Sequence, residues 1–287
     1  MKNAFQTVAL IGKITNPLIR EHLLNLAQFL EGRGLEVLVE ALTAEHLGLD
    51  GYPRVALSEM AGRADLAVVL GGDGTMLMVA RELVDHDIPL IGVNKGRLGF
   101  LTDLTTDNMQ ASIGKMLEGE FTRERRTLLG ASLVRDGVVT HKGRAVNDVV
   151  ISKGGTARLI ELELTIDGEF VHRQRSDGLI IATPTGTTAY ALSAGGPLLH
   201  PTLDAIALVP VCPHTLSNRP FAINGSSLVE ITLVHAADAF VHFDGQLQTA
   251  LNCGDKLFVQ RLDHPLTLLH PHGHSHYAML REKLNWG

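Results

Sequence analysis

The chain has 287 residues, enough for one or two domains with a substantial core. Apolar residues make up 45% and charged residues 20%, an ordinary soluble balance, and a net charge of -6 gives no support to a general nucleic-acid binder. Cys212 and Cys253 are too few for a disulfide framework, and no apolar run is long enough for a membrane span. Met1–Gln6 leads into a strand rather than a signal peptide, so a cytoplasmic protein with free thiols is expected.

The first half alternates strands and helices. Thr7–Ile11 reads as a strand ending at Gly12, and Asn16-Pro17 as the cap and first-turn proline of a helix to about Glu31. Ile19, Leu23, Leu26, Ala27 and Leu30 share one face of that helix. Gly32 and Gly34 end it, Leu35–Glu40 is a second strand, and residues 43–62 read as helix, loop and helix. Leu66–Leu70 is a continuous apolar run, as in a strand buried on both faces. A helix to about Val84, a strand over Ile88–Val93 and a helix over Asn108–Leu117 follow. The alternation predicts parallel βαβ units and a Rossmann-like domain over residues 1–120.

Gly71-Gly-Asp-Gly-Thr75 follows the apolar run and precedes helix-compatible residues. Asp73 thus sits at the carboxyl end of a strand, where open α/β sheets bind ligands. It is a candidate functional carboxylate; as a plain N-cap it would not need two glycines before it. The Gly-x-x-x-x-Gly-Lys-Ser/Thr loop and the dinucleotide Gly-x-Gly-x-x-Gly spacing are both missing. Asn94–Thr102, with Lys95 and Arg97 on a glycine-broken loop, is either a phosphate loop or a solvated connection.

The second half changes texture. Asp136-Gly137, Asp167-Gly168 and Asp244-Gly245 lie between apolar runs and read as hairpin turns. Leu159–Ile166 alternates apolar and polar residues, and Ala205–Val211 and Ser227–Val234 continue a β-rich domain, a sandwich over residues 121–270. Asn147 and Asp148 interrupt an otherwise apolar strand over Ala145–Ser152, as partners for a ligand or as a turn or edge bulge. After the strand Leu179–Ala182 comes Thr183-Pro-Thr-Gly-Thr-Thr-Ala-Tyr190, a run of small polar residues suited to wrapping a polar ligand, with Tyr190 for stacking. No structural role accounts for so many Thr and Gly residues in series.

These blocks resemble the NAD kinase family: Gly71–Thr75, Asn147-Asp148, and Asp177-Gly178 with Thr183–Tyr190 through Gly195-Gly-Pro197. Asn94–Asp103 and Asp204–Pro210 extend the likeness over nearly the whole chain. The resemblance implies an N-terminal Rossmann-like domain, a C-terminal β-sandwich and an active site in the cleft between them. It implies transfer of the γ-phosphoryl group of ATP to the 2′-hydroxyl of the adenosine ribose of NAD+, giving NADP+ and ADP. Asp73 would be the general base, with Gly74 beside it at the substrate. Asn147, Asp148, Arg158, Arg175, Asp177, Thr188, Ala189, Tyr190, Ala191, Leu192, Ser193 and Gln246 would bind NAD. A homodimer or homotetramer is implied, and the divalent ion, Mg2+, would arrive with ATP.

Rival readings are a lipid or other small-molecule kinase sharing the Gly-Gly-Asp-Gly turn and a non-catalytic NAD(P)-binding regulator. The first leaves the threonine block without a task, and the second leaves Asp73 without one. His264, His270, His272, His274 and His276 are not assigned to a metal, because no carboxylate or cysteine pattern accompanies them in the sequence. No protein-held metal, nucleic acid or membrane is expected. The tail 271–287 is expected to return to the first domain through a helix-compatible run over Tyr277–Trp286 anchored by Met279, Leu280 and Leu284, with the one tryptophan not left fully in water.

Overall fold

The computed structural model describes residues 5–96, 98–155, 158–215 and 217–286. The chain divides into two compact units, residues 1–125 with 266–287, and residues 126–265.

The first unit is built on a mostly parallel sheet. Its strands include β1 (Thr7–Gly12), β2 (Glu36–Glu40), β3 (Arg54–Val55), β4 (Leu66–Leu70) and β5 (Leu90–Asn94). The spatial order is β3-β2-β1-β4-β5, followed by Leu266–Pro271 and Phe121–Arg126. Every residue of β4 is buried, as its uninterrupted apolar sequence requires. The chain moves outward from β1 through β2 to β3, then crosses back to place β4 on the other side of β1. That reversal opens a crevice at the carboxyl ends of β1 and β4.

Helix α1 (Arg20–Glu31) follows a 3-10 turn over Pro17–Ile19, which Asn16 caps by accepting the Leu18 N–H at 3.2 Å. Ile19, Leu23, Leu26, Ala27 and Leu30 are all buried in the core cluster. Full burial of each leucine or isoleucine side chain contributes roughly 1.5–3 kcal/mol. Between β2 and β4 only one α-helix forms, α2 (Ala41–Leu47), where two were expected; strand β3 and a 3-10 turn over Leu57–Glu59 replace the second. Gly48 in the left-handed region stops α2, and Pro53 contributes its carbonyl to Val39 of β2, drawing the segment into the sheet.

Residues 266–270, expected with the β-rich domain, belong to this first sheet, where Leu268 registers with Leu90 in a parallel pair. The last helix spans His276–Leu284, capped by Ser275, and buries Met279 and Leu280. Leu284 is half-buried, and Trp286 lies just beyond the helix, 50% exposed.

The second unit is a sandwich of two antiparallel sheets. One runs Phe221–Asn224, Ala205–Val211, Gly178–Ala182, Asp148–Lys153, Ala239–Phe243 and Leu247–Leu251. The other runs Glu169–Ser176, Ile160–Ile166, Val229–His235, Lys256–Arg261, Leu129–Arg135 and Val138–Ala145. Alternate residues of both sheets, among them Leu133, Leu162, Ile231, Val149, Ile181 and Phe243, form one core. The three Asp-Gly pairs all have positive φ at both residues, the backbone of type I′ hairpins.

Candidate functional site

In the first unit the glycine turn after β4 leads directly into α3 (Asp73–Leu83). Gly72, not Asp73, is the N-cap, and no side chain caps this helix. The Asp73 carboxylate instead accepts the backbone N–H groups of Phe100 at 2.8 Å and Leu101 at 3.0 Å. Thr102 closes the same loop, its hydroxyl accepting the Gly99 N–H at 2.6 Å. The cap reading therefore fails: Asp73 is a half-buried carboxylate held by loop donors at the head of a helix. Gly71 is required because a Cβ there would stand 2.5 Å from the Thr75 hydroxyl. Gly74, the next residue, is exposed.

The topological crevice lies beside this turn, a cavity of about 160 Å³ lined by Lys13, Asn16, Gly71, Gly72, Asn94 and Lys95 among others. Two ammonium groups, two glycines and the start of a helix at one strand edge form an arrangement that favours a phosphate. Lys95 was expected there, and Lys13 and Asn16 were not. Their signal was the Gly12 strand end, legible as a position but not as a charge site. Arg97 lies outside the described residues.

In the second unit Asn147 and Asp148 do not interrupt one strand. They sit where Val138–Ala145 ends and Asp148–Lys153 begins. The break is held by Asp244, whose carboxylate accepts the N–H groups of Val146 at 3.1 Å, Asn147 at 2.7 Å and Asp148 at 3.2 Å. Thr183 completes it: its N–H donates to the Asn147 carbonyl at 2.9 Å and its hydroxyl to the Val146 carbonyl at 2.6 Å. A Cβ on Gly186 would lie 2.0 Å from the Asn147 carbonyl oxygen, so only glycine lets the two segments meet.

The threonine block thus has the structural role that its sequence did not reveal. Thr187 donates to the Pro184 carbonyl at 2.6 Å and accepts from Leu199 N–H at 3.0 Å, and Thr188 donates to the Thr185 carbonyl at 3.0 Å. Thr183, Thr185 and Thr187 are buried. The block is a scaffold, and what it presents outward is Ala189 and Tyr190.

Those two residues line a cavity of about 330 Å³ together with Asn147, Asp148, Val150, Ser152, His242, Asp244 and Gly245. Asp148 is 4% exposed, and burial, reinforced by the charge of Asp244, pushes its carboxyl up to about 7. Burial lowers the His242 imidazole, whose Nε2 lies 2.9 Å from the Ser152 hydroxyl. Burial, followed by the charges of Cys212, Asp148 and Asp177, raises the Tyr190 phenol and keeps it neutral. Ser152, His242 and Asp244 were missed as site residues. Asp244 was legible only as a turn, and the other two are alternate residues of strands.

The remaining expected residues are more scattered. Ala191 is buried against Val150 and Val209, Leu192 is half-buried, and Ser193 is exposed at the end of the short helix Tyr190–Ser193. Asp177 pairs with Lys153 at 2.7 Å. Gln246 belongs to the Asp244-Gly245 hairpin, its N–H donating to the Phe243 carbonyl. Arg175 is exposed on Glu169–Ser176, and Arg158 is exposed before Ile160–Ile166; neither lines the cavity.

Residues 8–121 match the ATP-NAD kinase N-terminal domain and residues 146–270 the ATP-NAD kinase C-terminal domain. A NAD kinase of Thiobacillus denitrificans is 53% identical over 287 residues, covering 100% of this chain and 99% of the relative. A NAD kinase of Nitrosospira multiformis is 54% identical over 286 residues, covering 100% of this chain and 97% of its own. Among solved structures, yeast NADH kinase complexed with NADH superimposes with a TM-score of 0.89 at 27% identity, covering 100% of this chain and 89% of that one. A NAD kinase from Archaeoglobus fulgidus in complex with ATP gives a TM-score of 0.76 at 26% identity, covering 98% and 99%. The chain belongs to the ATP-NAD kinase family.

Proposed function

We propose that this protein transfers the γ-phosphoryl group of ATP to the 2′-hydroxyl of the adenosine ribose of NAD+, releasing NADP+ and ADP. Phosphoryl transfer needs in-line positioning and charge neutralisation more than covalent help. Asp73 takes the proton of the attacking hydroxyl, and its two loop donors hold one orientation of the carboxylate. The crevice with Lys13 and Lys95 receives phosphate groups of ATP, which enters as its Mg2+ complex. Asn147, Asp148 and Tyr190 hold NAD+ in the second unit. Asp177, Arg158, Arg175 and Gln246 act at its margins, together with Gly74 and the Thr188–Ser193 stretch.

The observation that carries the reading is the convergence of the Asn147-Asp148 pair and of Tyr190, more than forty residues further on, on one cavity in a chain of this family. The test is incubation of purified protein with NAD+, ATP and Mg2+, with NADP+ measured by a specific dehydrogenase. NADP+ formation supports the reading; NAD+ binding without it would leave a regulator.

The cytoplasm is the proposed compartment; among the described residues no helix is long and apolar enough to cross a membrane. A homodimer or homotetramer is proposed, supported by exposed Val138, Val139, Phe170 and Val171 on the outer strands of one sheet. Light scattering that reports a monomer of 31.0 kDa would refute the oligomer.

A further inference from the structure

The histidines near the carboxyl end lacked a carboxylate partner in the sequence, but the fold supplies two. His270, on Leu266–Pro271, points Nδ1 at the Asp103 carboxylate. His274 places its own Nδ1 3.0 Å from the other Asp103 oxygen. One ligand atom from each of the three residues lies within 4.8 Å of the others. Asp103 is 167 residues from His270 in the chain, so no local spacing could reveal the set.

We propose that Asp103, His270 and His274 form a binding site for a borderline divalent cation of the Zn2+ class. Two imidazole nitrogens and one carboxylate oxygen suit Zn2+, whereas Mg2+ and Ca2+ favour oxygen alone. A second feature supports the assignment: the far ring nitrogen of His270, Nε2, stands 2.8 Å from Glu124 Oε2. A carboxylate behind a ligating histidine fixes its tautomer and orientation. Together with Asp103 it balances the two positive charges of the ion. The site is closed around His270, which is 2% exposed, and more open around His274, leaving a side for water and for the ion to arrive.

The two imidazoles now stack, with centroids 4.0 Å apart and planes 18° from parallel. An ion lying in the plane of both rings requires one of them to turn. His274, in the turn between the strand and the last helix, is the ring with room to do so. Occupancy would fasten the returning segment to the loop that carries Phe100, Leu101 and Thr102, and so to the donors of Asp73.

The test uses full-length protein without a histidine tag, stripped with a chelator and titrated with Zn2+ alone by calorimetry. One bound equivalent per chain and a raised melting temperature are expected. His274→Ala should abolish that binding, while His272→Ala, outside the cluster, should retain it. Glu124→Gln should weaken it about 10–100-fold. If the stripped wild type binds no Zn2+, the cluster is an ion-paired latch only and the proposal falls. Full binding by His274→Ala, or loss with His272→Ala, would assign the metal to the exposed histidines and overturn it equally. Should His274→Ala fail to fold, the visible spectrum of Co2+-loaded wild type decides: bands of low coordination with nitrogen support the site, and those of hydrated Co2+ reject it.

Discussion

Gly99 lies so close to Asp73 that a Cβ built on it would stand 1.9 Å from the carboxylate oxygen Oδ1. The loop after β5 is therefore shaped around this side chain, with Phe100 and Leu101 donating to it and Gly99 giving it room. Gly99→Ala should displace the carboxylate while leaving the cavity lined by Asn147, Asp148 and Tyr190 untouched. A misplacement near 1 Å costs about 10²-fold in rate, so turnover should fall by that order with a much smaller change in the Michaelis constant for NAD+. Unchanged turnover would show that the placement of Asp73 does not matter to the chemistry.

Asp73→Asn separates the base from the clamp, with a complication that the fold introduces. An amide has one acceptor oxygen, whereas the loop presents two N–H donors, so one donor would face the NH2 group. Stability should drop by about 1 kcal/mol, the low end of the cost of an unsatisfied polar group because the site is half-buried, and turnover by roughly 10²–10⁴, the share of general-base catalysis. Thr102→Val is the control: it removes the acceptor of the Gly99 N–H and leaves the carboxylate in place. Comparable destabilisation with far milder loss of turnover is expected from it. Equal losses of turnover in the two variants would mean that Asp73 serves only to order the loop.

Asp148 should make stability depend on pH in the direction opposite to a salt-bridged carboxylate. Its folded pKa, about 7, lies above the ordinary aspartate value, so the folded state holds its proton more tightly than the unfolded state does. This group's contribution is then most favourable below the unfolded pKa and is lost as pH rises toward 7. Asp148→Asn removes the buried charge and its repulsion with Asp244. The variant should melt higher than wild type at pH 8, with the gap narrowing as pH falls toward 4, and should bind NAD+ poorly. A gap independent of pH would rule out the titration of Asp148 as its cause. A carboxylate retained at such a cost is characteristic of a functional site.

Local signals were legible in the sequence, and distant partners were not. The apolar run of β4, the face of α1 and the Asp-Gly hairpins each follow from spacing or backbone preference within a few residues, and all appear in the structure. Asp73, Asn147, Asp148 and Tyr190 stood out as polar groups beside glycines or apolar strands. The task of the threonine block was missed because the partners of Thr183, the Val146 and Asn147 carbonyls, lie in another strand connection. Asp103 and His270 escaped for the same reason, and Lys13 gained its place only through the crossover between β1 and β4. Trp286, at the end of the expected helical run, falls outside the helix because Asn285, in the left-handed region, ends it first.

Tyr190 tests how the second cavity binds its ligand. The ring lines the cavity yet remains 46% exposed, the state of an aromatic face waiting to be covered. If it stacks on the adenine of NAD+, Tyr190→Ala forfeits about 1–3 kcal/mol, which raises the Michaelis constant for NAD+ by roughly 5–150-fold. Turnover at saturating NAD+ should change little, because stacking is equally present before and during phosphoryl transfer. Tyr190→Phe keeps the face and removes only the neutral hydroxyl, so it should behave nearly as wild type. If the phenylalanine variant is as impaired as the alanine one, the hydroxyl rather than the ring makes the contact. If neither changes the Michaelis constant, the threonine block holds Tyr190 outward for something other than the dinucleotide.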